Sequence, residues 1–339
     1  MICWKNQLPQ FASLALLAAL IHSLNHAIFK NLLFLGAGVI QSATHSLKLN
    51  DLGGLLKRMP GLGVVFLFGC LSIAGLPLLN GFVGEWIAFQ SFLAGGLLPS
   101  PVAQIVLPLA AGGLALTGAL AAACFVNVYG VAFLGRPRTA ESEALPKQSA
   151  ATLVPVGVLA GACLAIGLMP MMLIRPLWSV VESMVPGGNF ESVSKIGATI
   201  QAVALVVLVA GTGAAALRFI GRAAVRLSPT WGCGLPTMTP RMQYTATSFS
   251  KPLRMVFARA YRSERKLESS PADRPYFPET ISYHSRRTTS YERMLYRPLV
   301  NSILAAAQQL RRVQTGNIQW YLLYIFVALV FMLLFMRFR

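Results

Sequence analysis

"GLGVVFLFGCLSIAGLPLLNGFVGEWIAFQSFLA", residues 61–94, is apolar throughout and carries one charged side chain, Glu85. As one straight helix it would run about 50 Å, against roughly 30 Å of bilayer hydrocarbon. Gly75, Pro77, Gly81 and Gly84 fall in its interior. Pro77 removes a backbone donor and opposes the turn before it. Such interruptions at membrane depth are tolerated where the backbone lines a cavity or is shielded by protein. The stretch therefore predicts a broken membrane helix of the kind transporters use.

The rest of the chain agrees with that reading. Of 339 residues, 55% are hydrophobic and only 12% are charged, about half the charged fraction of a soluble domain. Six apolar runs are candidate spans: 11–41, 61–94, 102–134, 151–174, 197–220 and 318–337. They are continuous rather than alternating, which argues against a β-barrel. The expected fold is all-α, a polytopic membrane protein with about six transmembrane helices, one of them broken.

The net charge of +18 first suggests nucleic acid. Its distribution argues against that partner: 17 of the 29 Lys and Arg lie between Arg218 and Arg312, flanking the spans. The positive-inside bias and anionic lipid headgroups account for such a region. Loop charges place 42–60, 135–150 and 221–317 in the cytoplasm. The five cysteines have no C-x-x-C spacing and indicate neither a disulfide framework nor a metal site.

Four segments are expected: a membrane domain over 1–220, a basic and largely irregular stretch over 221–291, an amphipathic helix over 292–317, and a last span over 318–339. The irregular reading rests on "SERKLESSPADRPYFPETISYHSRRTTS", which is polar and Pro-interrupted. In the amphipathic segment Leu295, Leu299, Ile303, Ala306, Leu310 and Val313 recur at helical spacing, with Pro298 near the start. Such a helix lies on a membrane or on a partner, the alternative being an ordinary solvated connecting helix.

"HSLNHAIFK", residues 22–30, sets His22, His26 and Lys30 four residues apart within an apolar run. On a helix they form one stripe, about 6 Å between neighbours along the axis. Imidazole exchanges protons near neutral pH, and a desolvated lysine can do so too. A proton relay needs such a stripe, because ionisable groups at membrane depth are costly and usually face a water path. On these residues alone a second reading stays open: Lys30 snorkels to the surface and His22 satisfies a carbonyl. Metal binding by His22 and His26 lacks a neighbouring Cys or carboxylate to complete it. Glu85 is the only acidic residue inside an apolar run. It reads as a proton carrier, the alternative being a cap on the second half-helix.

Together, "HSLNHAIFKNLLFLGAGVIQSATHSLKLNDLGGLLKRMP" and "GLPLLNGFVGEW" resemble the antiporter-like, proton-translocating membrane subunits of respiratory complex I and the Mrp antiporters. "PTWGCGLPTMTPRMQYTATSFSKPL" and "QTGNIQWYLLYIFVALVFMLL" resemble the branch that includes hydrogenase-4 component B and formate hydrogenlyase subunit 3. The resemblance implies a bacterial inner-membrane subunit whose partners are other membrane subunits of a redox complex. It implies that His22, His26 and Lys30 link a hydrophilic axis to the cytoplasm, that Glu85 is the ionisable group of a broken helix, and that the 292–317 helix runs along neighbouring subunits. Family members are about twice this length and carry two inverted repeats. The chain is thus expected to be the C-terminal half, as a fragment, a split gene product or a misplaced start. Two alternatives remain: a non-conducting anchoring module, and a cation/proton antiporter subunit of Mrp type. No nicotinamide, flavin or iron–sulfur motif is present, so no cofactor is expected.

Overall fold

The computed structural model describes residues 8–145, 149–220, 228, 231–235, 237–257, 263–270, 280–287, 292–311 and 318–337. The chain divides into two compact units, Met1–Phe249 and Ser250–Arg339.

The first unit is helical and built around one long helix, α1, Pro9–Thr44. Its 36 residues make it about 54 Å long. A proline opens it, where a missing N–H costs nothing. It closes on His45, whose left-handed backbone lets the His45 N–H donate to the Gln41 carbonyl at 2.8 Å. The 61–94 run is broken as expected, into α2, Pro60–Ile73, and α3, Asn80–Leu93. Each half has 14 residues, about 21 Å, too short to span the hydrocarbon alone. Next come α4, Pro101–Ala132, and α5, Ala150–Leu168. Two more helices follow, α6, Met171–Met184, and α7, Phe190–Ile220.

Packing divides α1 in two. Phe29, Leu32, Leu33 and Ile40 from its second half form one core with Leu62, Phe66 and Cys70 of α2, Val156 and Cys163 of α5, and Phe133. Leu14, Leu17 and Ile21 from its first half form another with Val83 and Ile87 of α3, Ile174 and Trp178 of α6, and Ile200 of α7. The two halves of the broken helix thus lie on opposite halves of α1. The break falls beside its middle, where the polar stripe sits. Because lipid is as apolar as leucine, these contacts hold by close packing and hydrogen bonding rather than by escape from water.

Two expectations need correction. The run 151–174 is not one span: it ends at Leu168, and α6 occupies much of what was read as the loop 175–196. Pro170 precedes α6 and cannot supply the N–H that would carry α5 onward. α6 is amphipathic, with Ile174, Trp178 and Val181 buried and Arg175 and Glu182 exposed. The stretch 221–291 is not largely irregular where it is described. It contains α8, Ala246–Val256, and an antiparallel hairpin of β1, Ser263–Ser270, with β2, Thr280–Arg287. Ser263 pairs with Arg287 and Ser270 with Thr280. The prolines that argued for irregularity, Pro271, Pro275 and Pro278, all fall between the strands, where they remove no ladder donor.

The amphipathic helix is present as α9, Arg297–Arg311, after a wider turn at Glu292–Tyr296. Residues 312–317 of the expected segment lie outside the described residues. The last span is α10, Ile318–Arg337. Among the described residues, five helices are long and apolar enough to cross a membrane: α1, α4, α5, α7 and α10.

Loops at one end of the first unit are tied together. The N–H groups of Gly54 and Leu56 donate to the carbonyls of Leu134 and Phe133, both at 2.9 Å. Gln243 grips Arg136 at both backbone groups. Its Oε1 accepts from the Arg136 N–H at 2.9 Å, and its Nε2 donates to the Arg136 carbonyl at 3.0 Å. Arg136 and Arg138 in turn donate to the carbonyls of Met238 and Tyr244, at 2.7 and 2.6 Å. The "PTWGCGLPTMTPRMQY" segment therefore has a structural role, in which its second half clasps the loop after α4.

Candidate functional site

The break between α2 and α3 spans residues 74–79. Gly75 takes φ +65°, a left-handed conformation that suits glycine. Its bare Cα also makes room for Glu85. A Cβ built on Gly75 would run into the Glu85 carboxylate, 2.8 Å from Cδ and 3.1 Å from Oε1. On the far side, a Cβ on Gly118 of α4 would come within 3.8 Å of Glu85 Oε2. The carboxylate is therefore lodged between the break and α4, and it is partly buried.

One residue earlier, Gly84 lets α3 approach α1 backbone to backbone. A Cβ there would sit 3.0 Å from the Cα and 3.2 Å from the Cβ of His22. Glu85 therefore follows directly on a contact with His22. Gly81 lies against the Ser72 carbonyl, where the two half-helices meet. Pro77 precedes Leu78, which has φ +88°, strained for a bulky side chain. The Leu78 carbonyl packs on Gly167 of α5, so the break is shielded by protein at that point.

Along α1, the His22 and His26 rings lie 6.1 Å apart between centroids. Each ring nitrogen is about 1.2 Å from its centroid, so the nearest nitrogens are roughly 3.7 Å apart or more, beyond direct hydrogen bonding. One bridging water closes such a gap. His26 meets the Phe29 ring edge-on at 5.3 Å. Lys30 turns the other way, with Nζ 5.8 Å from the Phe34 ring centroid. It has no carboxylate within ion-pair range among the described residues. The structure thus sets the Glu85 carboxylate against Gly75 and the neighbouring Gly84 against the His22 backbone, with His26 one turn on and Lys30 at the far end. His22 and Lys30 are half-buried, while His26 is exposed on the outer face of the described chain.

Sequence reasoning missed a buried amide pair. The Asn25 Nδ2 donates to the Asn80 carbonyl at 2.7 Å, and both residues are fully buried. The signal was available, since Asn25 sits between the two histidines in an apolar run, where a polar side chain needs a partner. Gly118 was missed as well, and nothing in its surroundings would have singled it out.

Residues 10–107, which include the stripe and the break, match the family model "NADH:quinone oxidoreductase/Mrp antiporter, TM". An uncharacterized protein of Mycobacterium tuberculosis is 35% identical over 92% of this chain and 51% of its own length. Hydrogenase-4 component B of Escherichia coli is 30% identical over 96% of this chain and 50% of its own length. Formate hydrogenlyase subunit 3 of the same organism is 46% identical over 47% of this chain and 26% of its own. The chain spans about half the length of the first two. Among solved structures, the archaeal membrane-bound sulfane sulfur reductase, a respiratory membrane complex, contains a chain of the same fold. It matches with a TM-score of 0.60 and 21% identity, covering 94% of this chain and 48% of that one. By its stripe, its broken helix and these relatives, residues 10–107 are a region of the NADH:quinone oxidoreductase/Mrp antiporter transmembrane kind, in a chain similar to the half of hydrogenase-4 component B that it spans and, over a shorter stretch, to formate hydrogenlyase subunit 3.

Proposed function

We propose that this chain is a proton-translocating membrane subunit of a hydrogenase-4-like or complex-I-like respiratory complex, with the redox chemistry in partner subunits. The observation that carries the reading is the lodging of Glu85 at the break, one residue from the Gly84–His22 contact. The residue before Glu85 meets the His22 backbone there, and the His26 imidazole follows that of His22 one turn on. The Glu85 oxygens hold a proton, His22 takes it through water, and His26 passes it toward Lys30. A second ring nitrogen lets each histidine accept on one side and donate on the other. Partners are other membrane subunits, and the basic 221–317 region faces anionic headgroups on the cytoplasmic side of a bacterial inner membrane.

One observation favours a second reading, an anchoring module without conduction. His26 is exposed on the described chain, so the stripe is walled on one side only. Glu85→Gln separates the two. In the complete complex in sealed vesicles, it should abolish proton pumping while redox turnover and assembly persist. Undiminished pumping would sink the conducting role and leave the anchor. Sodium-dependent transport in the same vesicles would instead favour an Mrp-type antiporter.

A further inference from the structure

The buried Asn25–Asn80 pair carries no proton in the relay from Glu85 to Lys30. We infer that it is a positioning device, which sets the register of α1 against α3 so that Glu85 lies level with His22. This rests on the proposal that Glu85 and His22 exchange protons.

The two helices touch at two levels in antiparallel order. Gly84 meets His22, and Asn80 meets Asn25. Three residues of α1 and four of α3 separate the levels, about 4.5 and 6 Å along the axes. A contact made only of glycine against backbone, as at Gly84, resists approach but not sliding. Apolar side chains above and below it permit neighbouring registers at modest cost. A hydrogen bond between buried groups does not, because a slip strands the Asn25 donor and costs its full desolvation. A slip of one turn, about 5.4 Å, would carry Glu85 away from His22 altogether.

The pair is asymmetric, and that makes it testable. Its short bond joins the Asn25 side chain to the Asn80 backbone carbonyl, at 2.7 Å. The Asn80 side chain reaches back only at 3.4 Å, to Asn25 O and Oδ1. Its own Oδ1 is buried with no protein partner. The working half is thus the Asn25 amide and a carbonyl that no side-chain substitution removes.

The experiment measures proton pumping as a function of pH in vesicles holding the complete complex, with redox turnover as the check on assembly. Asn25→Leu should lower pumping about tenfold or more, as misplacement of reacting groups does, and should move the pH profile. Asn80→Ala should leave rate and profile within about twofold of the parent, since it keeps the short bond. If Asn25→Leu does not assemble, Asn25→Gln decides, because it keeps the donor on a longer stem and should pump slowly with a displaced profile. A parental profile in whichever Asn25 variant assembles overturns the inference, as does an Asn80→Ala as damaging as Asn25→Leu. If Glu85→Gln also pumps normally, the proposed function has failed; if Glu85→Gln alone is dead, only the positioning role has.

Discussion

Replacing Gly75 with alanine tests the placement of the carboxylate most directly. Two costs arise from the structure. At φ +65°, an alanine pays roughly 1–2 kcal/mol relative to glycine. Its Cβ would also occupy the space of the Glu85 carboxylate, the end of a flexible side chain, which must swing aside at about 0.5–1.5 kcal/mol. The expected total is about 1.5–3.5 kcal/mol. Only the second cost depends on Glu85. In a Glu85→Ala background, Gly75→Ala should therefore cost roughly 0.5–1.5 kcal/mol less than in the parent. Denaturant titration of the four proteins, purified in mild detergent, gives the coupling. Additivity to within about 0.3 kcal/mol would refute the reasoning, because the carboxylate would then not rest on Gly75 in the folded protein.

Two further outcomes follow from the contacts. Gly84→Ala should destabilise by about 1–3 kcal/mol and slow pumping, since its Cβ meets His22 backbone; Gly113→Ala, with nothing within 4 Å, should be neutral or stabilise by up to about 1 kcal/mol, and equal effects of the two in the same titration would count against the helix contact. Gln243→Ala removes two hydrogen bonds to the Arg136 backbone, so limited proteolysis within 231–246 should quicken while the transmembrane core keeps its stability, and an unchanged cleavage rate would mean that the clasp does not hold.

Much of this was legible in the sequence for a simple reason. Span length and the Gly–Pro interruption at 75–84 are local properties, and the membrane leaves them few structural options. The four-residue spacing of His22, His26 and Lys30 likewise needs only a helix to become a stripe. Other features depend on what lies opposite. That Glu85 rests against Gly75 and faces Gly118 follows from how three segments pack, and spacing carries no trace of it. Asn25 reads as an ordinary polar interruption until Asn80 is placed beside it. At 151–184 the hydrophobicity of Met171–Ile174 outweighed Pro170, although the proline marked the true boundary. The hairpin was missed because strands here are set by pairing partners ten or more residues apart, while the intervening prolines spoke more loudly.

The tied loops have one more consequence, for the path of the chain through the bilayer. Segments joined by hydrogen bonds lie on one side of the membrane, so the chain between them must cross an even number of times. Between Gly54–Leu56 and Phe133–Leu134 lie α2, α3 and α4. With α4, which is long and apolar enough to cross, counted as one crossing, α2 and α3 can supply only one together, and the break lies within a single traverse rather than at a hairpin tip. Between Arg136–Arg138 and Met238–Tyr244 lie α5, α6 and α7. α5 and α7 already make the count even, so α6 must leave and return on the same face. Odd and even counting thus gives the threading of α2 to α7 without appeal to a single lysine or arginine charge.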